Sequence, residues 1–363
     1  MNQTDIVELR LNNQYLLGEK FNTPQEAVLH LGAVQSQDYF GASWSLGQRV
    51  ENATAETIEQ AFNEGNIIRT HVMRPTWHFV APEDLRWMQE LTSSRVKQFM
   101  GHYNRKLELD DVLFKKTTTA IIKLLKETQF ATRQEIKKVL TNIGITTDVQ
   151  RLAHIIMWAE LDAIICSGPR IGKQFTYALV EQRIKKHEKL TRDEALAELT
   201  KRYFTSHGPA QLKDFSWWSG LTIKDAQEGI NMVKSTLKED TIDGKTYWFA
   251  KETEQTTKTR LDEAPTKRAF LLSIYDEYTI AYNDRTALSG ENYIEKMMSM
   301  GNALTAVMIF EGKVIGTWKR LIKKNTVEIT LNPFKKLEST THEAFEQAGH
   351  DYGLFLNLQT KII

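Results

Sequence analysis

Residues 131–179, ATRQEIKKVLTNIGITTDVQRLAHIIMWAELDAIICSGPRIGKQFTYAL, decide the fold. Thr132 and Glu135 stand at the spacing of a capping box, in which each side chain accepts the other residue's backbone N–H, so a short helix starts here. Asn142-Ile143-Gly144 ends it. Asp148 is a short acceptor suited to an N-cap, and the following Leu152–Leu161 carries Ile155, Ile156, Met157 and Trp158, apolar enough for a buried helix. Ile164–Ser167 and Gln174–Leu179 then read as strands around a Gly168-Pro169-Arg170 turn. A short helix, a turn, a second helix and a hairpin make the order of a winged helix-turn-helix, here preceded by a helix near 112–127.

The same order is legible on either side. Before it, helical spacing covers roughly 3–17 and 24–37, then Thr54 to Glu64, which stops at Gly65. Ile67–Met73 and Thr76–Val80 read as strands, and Pro82-Glu83-Asp84 opens another helix. After it, Thr191 and Glu194 repeat the capping-box spacing ahead of Ala195–Phe204. The break His207-Gly208-Pro209-Ala210 precedes short helices at Leu212–Trp218 and Ile223–Val233, separated by Gly220. Leu237–Ile242 and Thr246–Ala250 flank Asp243-Gly244, the signal of a type I′ hairpin turn. Lys251 to Thr266 is polar and reads as a linker. Beyond it Phe270–Tyr275, Ala303–Phe310, Val314–Lys319 and Thr326–Leu331 are strand-like, with a turn at Glu311-Gly312-Lys313 and a last helix at about 339–349. The expected fold is α+β: about three tandem winged helix-turn-helix units, 1–108, 109–184 and 185–256, followed by a small β-rich region, 257–363.

Composition narrows the function. The 363 residues hold 47 basic against 46 acidic side chains, a formal charge of +1, which excludes a wholly basic coat protein but leaves room for one basic face. No stretch is apolar enough to span a bilayer. The N-terminus MNQTDIVELR has no signal-peptide character, and the single Cys166 excludes an intramolecular disulfide. A cytoplasmic location is the expectation.

Two clusters point to chemistry. Val34-Gln35-Ser36-Gln37-Asp38 ends an apolar helical pattern and leads into Tyr39, Phe40 and Trp44. About thirty residues on, Arg69–Val80 sets cationic, hydroxyl, imidazole and aromatic groups along a strand pair. Alternation puts Arg74, Thr76 and His78 on one side and Pro75, Trp77 and Phe79 on the other. Arg69, Thr70, Arg74, Thr76 and His78, with Arg170 and Lys173 at the second wing turn, are the candidate contacts to a nucleic acid. The bland readings are wing-strand residues and a solvated basic turn, with His78 hydrogen-bonded in a partly buried place. Trp217-Trp218 reads as packing. Asp276-Glu277-Tyr278 has no His or Cys at ligand spacing, so a structural acid pair is preferred to a metal site. Ser167–Lys173 lacks the spacing of a phosphate loop.

The Val-Gln-x-Gln segment, Arg69–Asp84 (RTHVMRPTWHFVAPED), Gly208–Leu221 (GPAQLKDFSWWSGL) and Asp276-Glu277-Tyr278 with Gly316-Thr317-Trp318 together resemble the winged-helix AlkZ/YcaQ-type DNA glycosylases, over nearly the whole chain. The resemblance implies tandem winged units around a concave, basic DNA-binding surface. It also implies excision of N7-alkylated purines and unhooking of interstrand crosslinks, dependent on a Gln-x-Gln motif, or Gln-x-Asp in a sister branch. Gln35 and Gln37 stand on the former pattern.

The chemistry accords with that implication. An N7-alkylguanine is already cationic and leaves as a neutral base, so the protein must stabilise an oxocarbenium-like sugar and place a water near C1′. A carboxamide orients water through its carbonyl. Two amides at i and i+2 diverge on a regular helix, so a helix end or distortion is expected near Ser36, with both amides facing one basic cleft. Asp38 is the rival base. In the plainer reading Asp38 caps the next helix and the glutamines only bond backbone. The expectation is a monofunctional glycosylase: catalytic Gln35, Gln37 and Asp38, no metal, no organic cofactor, double-stranded DNA as partner, no membrane, and a monomer. The alternatives are a non-enzymatic winged-helix DNA-binding protein or transcriptional regulator, and a protein that kept the fold for another ligand.

Overall fold

The computed structural model describes residues 1–185, 189–251, 269–289, 294–299 and 305–363. The linker expected up to Thr266, the boundary at 256/257 and the strand start at Ala303 lie outside the described residues.

In chain order the elements are α1 (Gln3–Asn13), α2 (Pro24–Leu31), β1 (Val34–Gln35), α3 (Tyr39–Gly47), α4 (Ala55–Glu64), β2 (Ile68–Val72), β3 (Arg74–Val80), α5 (Leu85–Lys106) and α6 (Asp111–Thr128). Next come β4 (Ala131–Thr132), α7 (Arg133–Asn142), α8 (Val149–Leu161), β5 (Ile165–Ser167), β6 (Thr176–Leu179), α9 (Val180–Arg183), α10 (Arg192–Ser206), α11 (Leu212–Ser219) and α12 (Ile223–Val233). The rest are β7 (Leu237–Ile242), β8 (Lys245–Ala250), β9 (Ala269–Leu272), α13 (Glu277–Ile280), α14 (Ile294–Ser299), β10 (Val307–Phe310), β11 (Lys313–Ile322), β12 (Thr326–Pro333), α15 (Ser339–Leu356) and β13 (Gln359–Ile362). The mixture of helices and short sheets agrees with the expected α+β class.

The chain forms two compact units: Met1–Glu59 with Ala197–Trp218 and Thr222–Ile363, and Gln60–Leu196 with Ser219–Leu221.

The second unit is built on caps that the sequence announced. Thr132 Oγ1 accepts the Glu135 N–H, and the Glu135 carboxylate accepts the Thr132 N–H, so α7 starts where the capping box places it. Asp148 accepts the N–H groups of Gln150 and Arg151 to open α8. The buried faces of α6, α7 and α8 bring together Ile121, Leu125, Ile136, Leu140, Ile155 and Ile156 against Ile165, Tyr177 and Leu179 of the strands. Burial of these side chains drives the packing. The sheet runs β4-β6-β5, antiparallel, with Ile165 opposite Leu179 and Thr132 opposite Thr176. In the same unit β2 and β3 pair antiparallel, Thr70 opposite His78, with an irregularity between His71 and Val72. Gly220 has φ +70°, and a Cβ there would meet the Met73 carbonyl oxygen at 2.2 Å, so only glycine fits.

In the first unit a five-stranded sheet runs β13-β12-β11-β10-β9. Every pairing is antiparallel except β12 with β13. Leu11, Leu16 and Leu17, from α1 and the turn after it, pack on Leu272, Val307, Ile309 and Val314 of the sheet. The β7–β8 hairpin turns through Asp243 and Gly244, both at positive φ (52° and 74°), as a type I′ turn requires.

The structure corrects several boundaries. The helix expected over 24–37 stops at Leu31, because Gly32 turns to φ +77° and the chain becomes extended at Val34–Gln35. The strand expected to reach Tyr275 ends at Leu272, and Glu277–Ile280 is a helical turn capped by Asp276. The last helix runs on to Leu356, and β13 follows it.

Candidate active site and nucleic-acid interface

The amide segment lies in the first unit. Thr23 and Glu26 form a capping box that starts α2, with Pro24 at its first position. Gly32 ends the helix, so Gln35 falls on β1 and Gln37 in a bend before α3. The helix expected to end near Ser36, between the two amides, ends at Leu31, so both amides lie beyond it. Gln35 is only 7% exposed and Ser36 is buried, while Gln37 is exposed. Asp38 occupies the N-cap position of α3, but its carboxylate makes no capping hydrogen bond. It lies 3.9 Å from Nη2 of Arg320 on β11. Asp38 is thus a half-exposed carboxylate beside a guanidinium. A Cβ at Gly41 would sit 3.0 Å from Asp38 Oδ2, so a side chain there would crowd this group.

Two buried carboxylates hold the segment and the helix after it. Glu277 Oε1 accepts the Gln35 backbone N–H at 2.8 Å, and its Oε2 accepts Trp218 Nε1–H at 2.9 Å. His207 Nε2 is 3.5 Å from the same Oε2, and the His207 ring stacks on Tyr203 at 5.0 Å. Burial lowers the His207 pKa below its ordinary value, against the opposing pull of Glu277, which leaves a neutral imidazole at pH 7. Asp276 faces Arg49 through two bonds, Nη2 to Oδ1 at 2.9 Å and Nη1 to Oδ2 at 3.0 Å, and accepts Ser45 Oγ–H at 2.6 Å. Burial alone would raise the Asp276 pKa, but Arg49 and these donors hold it below the usual carboxylate range. Ser45 belongs to α3 and Arg49 follows it, so Glu277 holds the amide segment at Gln35 while Asp276 holds the far end of the helix that follows it. The structural acid pair expected from sequence is an anchor, and Trp218 is buried packing, as expected. Arg49 and His207 escaped the sequence reading. A buried arginine gives no local signal, and the 49–276 separation hides the pair.

The basic candidates lie in the second unit. On β3, Arg74 Nη2–H donates to His78 Nε2 at 3.2 Å, and His78 Nδ1–H donates to the Thr76 carbonyl at 2.9 Å. This places Arg74 and His78 on one side of the strand, as alternation requires. Thr70 and His78 are fully buried, which corrects their reading as direct DNA contacts. Neither offers surface to a ligand here: they are neighbours on one face of the hairpin, both fully buried, and His78 accepts a hydrogen bond from Arg74. Burial, and then the Arg74 charge, push the His78 pKa well below its ordinary value, so it too is neutral. Arg69, Arg74 and Thr76 are half-buried. Arg69 lies over the Trp77 ring at 4.3 Å and the Phe175 ring at 5.0 Å. The Arg170 guanidinium lies over Phe175 from 5.3 Å, and the Arg170 backbone N–H donates to Asn63 Oδ1 at 2.7 Å. Lys173 stands exposed on the same turn.

Among the described residues, no group of three or more His, Cys, Asp or Glu could hold a metal ion, and no helix is long and apolar enough to cross a membrane.

Fold and site together define an α+β protein with an anchored amide segment and Arg-bearing hairpins. The family model of the AlkZ-like DNA glycosylases matches residues 28–355, and the chain belongs to that family. By class it is a DNA glycosylase of DNA repair, and DNA is its partner. Among solved structures it is similar to the Streptomyces sahachiroi DNA glycosylase AlkZ, at 17% identity, 100% coverage of both chains and a TM-score of 0.81, a likeness of fold. No curated protein matches the sequence.

Proposed function

We propose that this protein is a monofunctional glycosylase that hydrolyses the N-glycosidic bond of N7-alkylpurines, including bases tied into interstrand crosslinks. The observation that carries the reading is the break after α2. It frees Gln35 and Gln37 from helical geometry, and Glu277 pins the backbone at Gln35. In the reaction the glycosidic electron pair leaves with the cationic base, which departs neutral. Water adds to C1′, and its proton passes to solvent or to Asp38. Gln37, exposed, orients that water through its carbonyl. Asp38, charged and half-exposed, stabilises the sugar cation.

In this reading the chain is a monomer in the cytoplasm that takes damaged duplex DNA. Residues 1–108, 109–184 and 185–256 act as three winged units, followed by the β-rich region 257–363, and no metal or organic cofactor takes part. The burial of Gln35 favours a division of labour in which Gln35 shapes the segment while Gln37 and Asp38 face the substrate.

The test is release of N7-methylguanine from duplex DNA by wild type, Gln37→Ala and Asp38→Asn at equal DNA affinity. Release by wild type that is lost in Gln37→Ala supports the proposal. DNA binding with no release from either N7-methylguanine or a crosslinked duplex returns the chain to a non-enzymatic DNA-binding protein.

A further inference from the structure

The second unit contains a recess of about 490 Å³ beside the wing turn, walled by Trp77, Phe175 and Tyr177 and rimmed by Arg69, Arg133 and Lys173. Among the described residues, no carboxylate lines it, and three cationic side chains border the cavity. The walls are held in place before any ligand arrives. The Arg69 N–H donates to Ser167 Oγ at 2.9 Å, which ties β2 to the wing hairpin. Thr176 Oγ1–H donates to the Pro169 carbonyl at 2.5 Å, closing the base of the turn. Arg133 Nη2–H donates to the Val149 carbonyl at 3.0 Å, which fixes its guanidinium at the start of α7.

The chemistry of this recess exceeds what a duplex backbone asks of a protein. Phosphates on a paired duplex need cations and hydrogen-bond donors but no aromatic planes, since the paired bases stay stacked inside. Here the cations stand beside aromatic rings, and the Arg69 guanidinium lies within 4.3 Å of the Trp77 ring centre and 5.0 Å of that of Phe175. Unstacked bases are held on such ring and guanidinium planes, with backbone phosphates on nearby Lys and Arg. The volume lies within the roughly 300–1,000 Å³ of small-ligand pockets and is far larger than one phosphate needs.

We propose that this recess binds one unpaired nucleotide, its phosphate on Arg133 and Lys173 and its base against Phe175 and Trp77. Such nucleotides occur at strand ends, gaps and flaps. The site requires nucleic-acid binding by the chain but not base excision, so it goes beyond the glycosylase reading and stands or falls separately from it.

The experiment is fluorescence anisotropy of the full chain with a labelled blunt duplex and with the same duplex carrying a short unpaired thymidine tail. Wild type should bind the tailed duplex roughly tenfold more tightly. Phe175→Ala should abolish that preference, read as the ratio of tailed-duplex to blunt-duplex affinity. Lys173→Glu, on an exposed turn where folding is not at risk, should also remove the preference and flatten the salt dependence of tailed-duplex binding by about one unit of log–log slope. Thermal melting checks that Phe175→Ala is folded, and if it is not, Lys173→Glu decides alone. Equal affinity of wild type for the two duplexes overturns the proposal. So does a preference that survives both substitutions, or a loss confined to blunt-duplex binding, which would make the recess a seat for duplex phosphates.

Discussion

The backbone N–H of Gln35 donates to Oε1 of Glu277, 242 residues further along the chain, at 2.8 Å. The same carboxylate receives Trp218 Nε1–H at 2.9 Å. One fully buried side chain thus satisfies two donors that water cannot reach, and through them holds the amide segment against α11. Replacing Glu277 by Gln keeps the size but turns one acceptor into a donor. The expected result is a loss of about 1–3 kcal/mol in urea unfolding, the usual penalty for a buried donor left without an acceptor. Base release should fall as well, because the Gln35 backbone is no longer fixed. An unchanged unfolding midpoint would show that Glu277 does not anchor the segment.

Gln37 and Gln35 should separate function from stability. Gln37 is exposed, so Gln37→Ala should change stability by less than about 0.5 kcal/mol. Its single-turnover base release should drop by about 10²–10³, the loss typical of one preorganised polar group at a reacting centre. Gln35 is buried, and Gln35→Ala should lower both release and the melting temperature. Equal melting shifts in the two variants would undo this division of roles.

The parts legible in the sequence were those built from neighbours in the chain. Thr132 and Glu135 close their capping box, and Asp243-Gly244 forms its turn, because both depend on a few adjacent residues. The break after Leu31 was misplaced because Val34 continues the apolar period past Gly32, and periodicity cannot register a left-handed glycine. β13 escaped because Gln359–Ile362 has no strong strand pattern and is recruited by parallel pairing with β12. In the site, the residue types of the amide segment were visible, but its support was not. The acid pair was visible, but the contacts of Glu277 with Gln35 and His207, and of Asp276 with Arg49, form only on folding, and a buried polar residue in sequence looks like an exposed one. His78 follows its plainer reading: alternation gave its face, and it is hydrogen-bonded and buried, more deeply than the partial burial expected.

The Arg49–Asp276 pair is fully buried on both sides, so breaking it should cost far more than breaking a surface pair. Arg49→Met removes the cation and leaves Asp276 without its charge partner. The expected destabilisation is about 3–5 kcal/mol, read from chemical denaturation. The double variant Arg49→Met with Asp276→Asn should recover part of that loss, since the uncompensated charge is gone. A double variant no more stable than the single one would place the cost in packing rather than in the stranded charge.

The buried histidines predict a stability that declines in mild acid. His78 and His207 both have folded pKa values below the ordinary 6.5, in each case chiefly because burial disfavours the charged ring. The unfolded chain therefore takes up protons at a pH where the folded chain does not. Below about pH 6.5 the unfolded state binds more protons, so folding stability is full above that pH and is lost as pH falls toward the depressed folded values. Each histidine contributes a slope of up to about 1.4 kcal/mol per pH unit in that window. Asp276, held below the usual carboxylate range, adds its own loss only at lower pH, below the ordinary 3.8 of a free aspartate. Unfolding free energy measured from pH 7.5 to 5 should fall with decreasing pH, most steeply below 6.5. His78→Gln offers Arg74 an acceptor in place of Nε2 but does not titrate, so the slope should shrink by about the share of one histidine. A His78→Gln profile parallel to that of wild type would show that His78 is not a source of the acid sensitivity.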